Sequence, residues 1–227
     1  MNVRSTVFLW TSAVAGWCVL SAATEADKRL QAAGTVFSEV MSISEKSIPQ
    51  DLLNKAECVV IVPSLKKGAF IVGGKYGRGF MVCRKNSGLG WSAPAAIKVE
   101  GGSFGFQIGG AETDVIMLVL NKAGVKKLLS SKFTLGADAS VAAGPVGRES
   151  SANTDGRFNA EILTYSRSRG AFVGIALQGA TLRPDTDANE ELYGTGKTNA
   201  QIVEGDTAPP PAGAALIADL NRYSSRK

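Results

Sequence analysis

The sequence contains no histidine, and this absence limits the chemistry that its other polar residues could perform. Without an imidazole there is no Ser-His-Asp or Cys-His arrangement, no histidine metal ligand and no histidine base near neutral pH. An enzyme would have to depend on carboxylates, lysines or tyrosines, and no acid–base pair of these stands out by its spacing. We therefore predict that the protein is not an enzyme.

Three short motifs resemble parts of catalytic or nucleotide sites, and each lacks a required partner. The sequence 101–105, GGSFG, has the spacing of a nucleophile elbow, but that elbow works with a histidine base. The sequence 194–198, GTGKT, resembles the end of a phosphate-binding loop, yet Glu191 occupies the position of the first glycine. Ser64 and Lys67 have a Ser-x-x-Lys spacing without the companion Lys-Thr-Gly motif. We interpret all three as structural.

The cysteines and acidic residues lack the pattern of a metal site. Cys58 and Cys83 are separated by 24 residues, with no histidine to complete a zinc site. The acidic sequence 185–191, DTDANEE, has Glu190 where a calcium-binding loop needs glycine. We predict no metal and no cofactor. Cys58 and Cys83 could instead form one disulfide, or remain a pair of buried free thiols, because each lies within an apolar run.

A basic, glycine-rich stretch from Ser64 to Lys85 is the strongest candidate for binding. It holds six basic residues, no acidic residue and five glycines. Two interpretations are equally consistent with its residues: a patch that attracts phosphate or anionic headgroups, or a solvated sheet edge on which lysines oppose aggregation. Because residues alternate along a strand, only about half of the six could share one face. The net charge of +5 is too small to indicate a nucleic-acid partner.

The elements around this stretch indicate an α+β fold. Residues 24–48 have the spacing of an amphipathic helix, which could dock on the core of the domain or lie on a lipid surface. Residues 49–183 are β-rich, with strands around 58–62, on both sides of a turn near Lys75–Gly77, and further along the chain. Residues 184–227 read as helices. Glycines within the strands predict a strongly bent, mostly antiparallel, barrel-like sheet in one domain spanning 24–227.

The first 23 residues have the pattern of an export signal. Arg4 precedes a mostly apolar run, and Ser21 and Ala23 would allow cleavage before Thr24. The alternatives are an uncleaved membrane anchor, for which the run is short, and a lipoprotein attached through Cys18. We expect an exported protein located in the periplasm or at the envelope.

Five blocks of sequence, in order, resemble the SYLF domain family of lipid-binding domains, which is also described as the yeast actin-patch, Las17-binding type. The blocks are KKGAFIVGGKYGRGFMVCR, GWSAPAAIKVEGGSFGFQIGGAETDVIMLVLN, LGADASVAAGPVGR, YSRSRGAFVGIALQGATL and YGTGKT. The resemblance covers roughly residues 32–223. It implies binding of anionic lipid through basic residues and an amphipathic N-terminal helix. The residues to which it assigns lipid contact are Lys28, Arg29, Phe37, Lys66, Lys67, Lys75 and Arg78.

These observations together predict an exported, non-enzymatic protein that associates with anionic phospholipid membranes. The alternative is a structural or protein-interaction module of the bacterial cell envelope. The resemblance also implies actin regulation in some relatives, but an exported bacterial chain would not meet actin, so we do not expect that partner here. The sequence leaves the oligomeric state and the particular lipid open.

Overall fold

The fold is taken from a computed structural model that describes seven ranges of the chain. These ranges are 22–43, 47–69, 73–103, 111–146, 160–168, 171–172 and 177–224. The predicted signal over 1–23 lies almost entirely outside them. Residues 104–110, the predicted continuation of one of the later strands, also lie outside these ranges.

The described residues form six α-helices, one 3-10 helix and nine strands. The helices are α1 (Glu25–Ser42), α2 (Gln50–Lys55), α3 (Lys122–Leu128), α4 (Thr186–Tyr193), α5 (Asn199–Glu204) and α6 (Ala214–Tyr223), with the 3-10 helix at Pro211–Gly213. The strands are β1 (Cys58–Ala69), β2 (Gly73–Cys83), β3 (Ala95–Ser103), β4 (Ala111–Val119), β5 (Phe133–Thr134), β6 (Val141–Ala143), β7 (Ile162–Ser168), β8 (Ala171–Phe172) and β9 (Thr181–Pro184).

The strands form a curled sheet in the order β5-β9-β3-β2-β1-β4-β7-β6, and β8 pairs with β7. All pairs in the described ranges are antiparallel except β6–β7. Helices stand at both ends of the chain, so the predicted α+β class and the bent, mostly antiparallel sheet are confirmed.

Chain connectivity explains why this sheet must curl. Strands β5 and β6 lie at opposite ends of the strand order, yet only residues 135–140 separate them in the chain. Eight flat strands about 4.8 Å apart would place the edges about 34 Å apart. The seven Cα steps from Thr134 to Val141 span at most about 25 Å when fully extended. The sheet therefore bends into a half-barrel to bring its edges within reach of this connection.

Side chains alternate between two cores, one on each face of the sheet. The first core contains Val59, Ile61, Phe80, Val82, Ile116 and Leu118, packed against apolar residues of α1, α2, α4 and α6. The second core contains Val60, Met81, Ile97, Met117 and Val119, packed with Phe133, Leu135, Ile202 and Val203. We refer to the two sides as the first face and the second face of the sheet.

Helix α1 docks on the first face with its apolar stripe. Its first turn is held by a capping box, in which Thr24 Oγ1 accepts from Asp27 N and the Asp27 carboxylate accepts from Thr24 N, each at 3.1 Å. Leu30 and Phe37 are completely buried, and the Phe37 ring meets Tyr223 of α6 edge to face. Of the two predicted placements of this helix, docking on the core of the domain is the one observed.

A one-residue bulge interrupts β1. Ile61 and Lys66 are five positions apart, whereas their partners on β2, Phe80 and Tyr76, are four positions apart. The extra residue also appears against β4. At the bulge Ser64 has a φ of 49°, in the left-handed region, and its N–H donates to Asp114 Oδ1 at 3.0 Å.

The predicted turn near Lys75–Gly77 is wrong, because β2 runs without a break through these residues. Gly77 serves close packing instead of chain reversal. A Cβ there would come within 2.6 Å of Leu65 Cδ1 and 2.7 Å of Val62 Cγ1, both in the second core. The sequence predicted a turn because of Gly77, but a glycine is present there because close strand packing leaves no room for a Cβ.

Candidate functional site

Two lysines face each other across β1 and β2, at the ends of the strands farthest from Cys58 and Cys83. Lys67 and Lys75 are direct Cα partners, so their side chains leave the sheet on the same face. By alternation from Met81 and Gly77 on β2 this is the second face. Lys67 has no ion pair in the described part of the chain. We call these two residues the lysine pair.

The surroundings of the lysine pair disfavour its positive charge. Partial burial lowers the pKa of Lys67, and the charge of Lys75 lowers it further. Partial burial also lowers the pKa of Lys75. Like charges directly opposite each other on a sheet are destabilising. An anion bound between the two ammonium groups would reverse this cost.

Glycines flank the lysine pair on β2 and β3. On β3 the residue opposite Lys75 is Gly101, where a Cβ would come within 3.0 Å of Ala180 Cα, so Ala180 packs beside the pair on the second face. Gly74 and Gly102 alternate to the first face, where both are exposed and no atom lies within 4 Å of where a Cβ would stand at either. The strand ends are therefore open on the first face, behind the lysine pair, to a ligand larger than water.

Tyr76 and Lys66 lie on the first face, behind the lysine pair. They are Cα partners of each other, and Tyr76 is 48% exposed, one of few large apolar side chains with that exposure in the described ranges. Lys66 Nζ lies 3.8 Å from Glu112 Oε1, with both side chains mostly in solvent. Such an exposed ion pair contributes between about 0 and 1 kcal/mol, so Lys66 can exchange it for another anion.

Arg78 also lies on the first face, but a buried acid holds it. Its guanidinium donates two hydrogen bonds to Asp185, one of them from Nη2 to Oδ1 at 2.7 Å. Lys98 Nζ approaches the same carboxylate at 3.3 Å, and Asp185 is only 1% exposed. Burial acts to raise the pKa of Asp185, but the hydrogen bond and charge of Arg78 and the charge of Lys98 outweigh it and the pKa is lowered. Arg78 therefore has a structural role.

The predicted lipid-contacting residues of α1 have different environments. Lys28 is exposed and pairs with Glu25 at 2.7 Å. Arg29 is half-buried; burial lowers its pKa, as does the charge of Arg78 nearby. Phe37 is completely buried in the first core, so the prediction that it faces lipid is wrong for this structure. Phe37 lies in the apolar stripe that suggested membrane insertion, but this stripe packs on α6 and on the sheet.

The remaining basic residues of the stretch lie at the opposite end of β2. Arg84 is buried; it donates to the Ser224 carbonyl at 2.6 Å and stacks over the Trp91 ring at 3.9 Å. Lys85 is exposed there. The six basic residues therefore divide between two ends and two faces of the sheet, and Lys67 and Lys75 are the two that converge.

A disulfide joins β1 and β2 near Arg84. Cys58 and Cys83 are direct partners in the strand register, with an S–S distance of 2.01 Å and a Cα–Cα distance of 4.0 Å. Of the two states that the sequence allowed, the structure contains the bonded one.

Neither metal ligation nor membrane spanning is indicated by the described ranges. No three cysteine or acidic side chains within them cluster as metal ligands. No helix among these residues has both the length and the apolar character needed to cross a bilayer.

The curled half-barrel with helices on both faces defines an α+β domain whose open strand ends carry converging lysines. The sequence model of Ysc84, described as Las17-binding protein actin regulator, matches residues 100–223. The chain belongs to this family, and the resemblance to SYLF domains is confirmed.

Named relatives agree with this assignment. LAS seventeen-binding protein 3 of Saccharomyces cerevisiae is 35% identical over 172 residues, 74% of this chain and 37% of the relative. An SH3 domain-containing protein of Schizosaccharomyces pombe is 35% identical over 78% of this chain and 42% of its own length. Human SH3 domain-containing YSC84-like protein 1 is 32% identical over 84% of this chain and 56% of its own. The chain thus spans well under two thirds of these curated relatives.

Sequence reasoning missed the residue that organises the first face. The acidic residues of the sequence 185–191 were considered only as ligands of a calcium-binding loop, but Asp185 caps α4, accepting from Ala188 N at 3.4 Å, and binds Arg78. A signal was present, because an aspartate directly before a helical run is a typical N-cap. Its pairing with Arg78, 107 residues earlier, left no local trace.

Proposed function

We propose that this protein is exported, performs no catalysis, and binds anionic phospholipid surfaces through the ends of β1 and β2. The observation that carries the proposal is the lysine pair, in which Lys67 and Lys75 converge on one face. Two partly desolvated ammonium groups on directly opposed residues form a site for a phosphate-bearing group. The disulfide supports export, because such bonds persist mainly in oxidising compartments.

A membrane surface suits this site better than a free small anion. The strand ends are open on the first face, where no atom lies within 4 Å of a Cβ built at Gly74 or Gly102. Tyr76 and Lys66 on the first face extend the contact beyond a single phosphate, and tyrosine favours the interface between water and hydrocarbon. Each exposed basic residue near an anionic membrane contributes about 1 kcal/mol. Several weak contacts would give reversible binding.

Vesicle co-sedimentation tests the proposal. We expect binding to phosphatidylglycerol-containing vesicles that increases with the anionic fraction and weakens with added salt, because exposed charges are screened. Removing two cations worth about 1 kcal/mol each should weaken binding about 30-fold, and reversal to glutamate should weaken it further. The Lys67→Glu/Lys75→Glu variant should therefore lose most of its binding. Inorganic phosphate as competitor separates a headgroup site from a free-anion site.

The matched control is Lys197→Glu/Arg222→Glu, which makes the same change of charge at two exposed positions of the C-terminal helical segment. It should bind vesicles nearly as well as the parent protein, with a circular dichroism spectrum that shows both variants to be folded. Equal binding to neutral and anionic vesicles would contradict the proposal. So would equal losses in the two variants, which would indicate a response to net charge alone.

A protein-binding role is the second candidate. The observation that favours it is the name of the yeast relative, LAS seventeen-binding protein 3. A chain covering 37% of that relative could retain a protein-binding surface of it, or serve as a module of the cell envelope. Absence of vesicle binding by the folded parent protein would favour this candidate. Actin remains an unexpected partner for an exported chain.

A further inference from the structure

A cleft of about 520 Å³ lies between α3 and α5, beside the disulfide. Residues of both helices line it, and so do Cys83 at the end of β2 and the residues that follow it. Small-molecule sites typically have volumes of about 300 to 1,000 Å³. The cleft therefore has the size of a ligand site, and the proposed membrane contact makes no use of it.

Four of the lining residues are apolar, and we call them the floor of the cleft. Val125 belongs to α3 and Leu129 directly follows it, whereas Ala200 and Val203 belong to α5. Val203 belongs to the second core, whereas Val125 and Leu129 are only partly buried against that core. These two side chains keep apolar surface in contact with solvent, which a ligand with an apolar body would cover.

The rim of the cleft carries more positive than negative charge. Lys85, Lys122 and Lys126 line it, and none of the three forms an ion pair within the described ranges. Lys122 and Lys126 are four residues apart, so they project from one side of α3. Two carboxylates, Glu57 and Glu204, also line the cleft. Neighbouring Lys127 differs from the rim lysines because it is paired with Glu161 at 3.2 Å.

We infer that this cleft binds a small anionic amphiphile, a molecule with one carboxylate and an aliphatic body. The three rim lysines supply the charge that the carboxylate requires, and the floor supplies the apolar surface for the chain. The guanidinium of Arg84, although it lines the cleft, is already committed to the Ser224 carbonyl and to Trp91. A ligand with only a carboxylate would leave the apolar floor exposed to water, and a ligand with only an aliphatic body would leave the rim lysines without an anion.

This site is separate from the lysine pair. Cys58, at the cleft end of β1, and Lys67, at the other end, are nine positions apart. That is up to about 30 Å of extended strand. The two proposals therefore use opposite ends of the same strands and can fail independently.

Amide chemical shifts measured on the isotope-labelled protein during titration with decanoate, below its micelle concentration, test the inference. We expect shifts concentrated in 85–88, 122–129 and 199–204, with saturation. Decanol, which lacks the charge, and inorganic phosphate, which lacks the chain, should each bind at least tenfold more weakly. Lys122→Glu/Lys126→Glu should weaken decanoate binding at least tenfold. Ala200→Trp, which fills the floor and leaves the lysines in place, should abolish it.

Two matched variants locate the effect. Lys132→Glu changes the charge of an exposed lysine outside the cleft and should bind decanoate as the parent does. Lys67→Glu/Lys75→Glu should lose vesicle binding and keep decanoate binding. Shifts confined to other parts of the chain, equal binding of decanol and decanoate, or equal effects of the Lys132 and Lys122/Lys126 variants would each overturn the inference.

Discussion

Arg78 and the lysine pair are positively charged residues of β1 and β2 with two different roles: one stabilises the fold and the other is a candidate binding site. Arg78 lies on the first face, where buried Asp185 fixes its guanidinium. Lys67 and Lys75 lie on the second face, where they oppose each other. The face of the sheet and the groups that each cation meets there, and not the residue type, determine its use.

The ion pair of Asp185 leads to a prediction about pH. The carboxyl pKa is lowered in the fold, so its contribution to stability is present above the unfolded pKa and is lost as the pH falls through the folded pKa. Asp185→Asn keeps the shape and the capping ability of the side chain but not its charge. We expect a loss of about 2 kcal/mol at pH 7, below the range for fully buried pairs because Arg78 and Lys98 retain contact with water.

Urea unfolding of the parent protein and the variant at several pH values measures this effect. The difference between them should shrink below about pH 4, the range in which an ordinary aspartate becomes protonated. Asp187→Asn is the control, since Asp187 is exposed and its contact with Lys98 contributes little. A difference that stays constant down to pH 3 would show that charge is not the cause.

At the scale of elements, the apolar period of α1 predicted a helix and its buried stripe, but not what the stripe contacts. A lipid surface and a protein core select the same pattern of apolar residues. The choice between them depends on α6, whose residues come about 180 positions later and pack against Gly34 and Phe37. The spacing of apolar residues therefore predicted that Phe37 lies on the apolar side of α1, but it could not predict whether that side contacts lipid or the protein core.

The contact between α1 and α6 leads to a prediction about stability. A Cβ at Gly34 would lie 3.5 Å from Leu216 N and 3.6 Å from Leu216 Cβ, which is ordinary packing. Alanine is favoured over glycine within a helix by about 0.5 to 1 kcal/mol. We expect Gly34→Ala to raise the free energy of unfolding by about that amount in urea titrations.

A larger side chain at the same position provides the opposite test. Gly34→Leu should lower stability by about 1 to 3 kcal/mol, because it would force α6 away from α1. If Gly34→Ala is destabilising by a similar amount, α1 and α6 pack too closely to accept a Cβ at residue 34.

At the scale of the whole molecule, composition and order of elements predicted the class, and the blocks predicted the family. The curl of the sheet was predicted from glycines within strands, but its clearest cause is the short connection between β5 and β6. That cause was invisible beforehand, because neither strand is longer than three residues and their places at opposite edges depend on long-range pairing. The cleft was missed for the same reason, since α3 and α5 are about 70 residues apart.

The proposed export of the protein makes a prediction about its mass. Cleavage before Thr24 would leave the capping box of α1 complete, since both of its members are retained. We expect the intact mass of protein recovered from the periplasm to correspond to a chain that starts at Thr24. It should also be lighter by two hydrogen atoms, and reduction should restore them, because Cys58 and Cys83 are bonded.

Retention of residues 1–23 would instead indicate an uncleaved anchor, and added lipid mass would indicate attachment at Cys18. Two free thiols in the exported protein would contradict the bonded state of the cysteines.

The bulge at Ser64 sets the phase of the strand that carries the lysines. Before it, even-numbered residues of β1 such as Val60 and Val62 enter the second core; after it, odd-numbered residues such as Leu65 do. If β1 kept all its residues but paired with β2 without the bulge, Lys66 would stand opposite Lys75, and Lys67 would stand opposite Gly74 on the side of the helices. The extra residue therefore decides which of two adjacent lysines faces Lys75. Deleting it would restore regular pairing and leave Lys67 in place, so relatives that are one residue shorter at this point should keep the lysine pair.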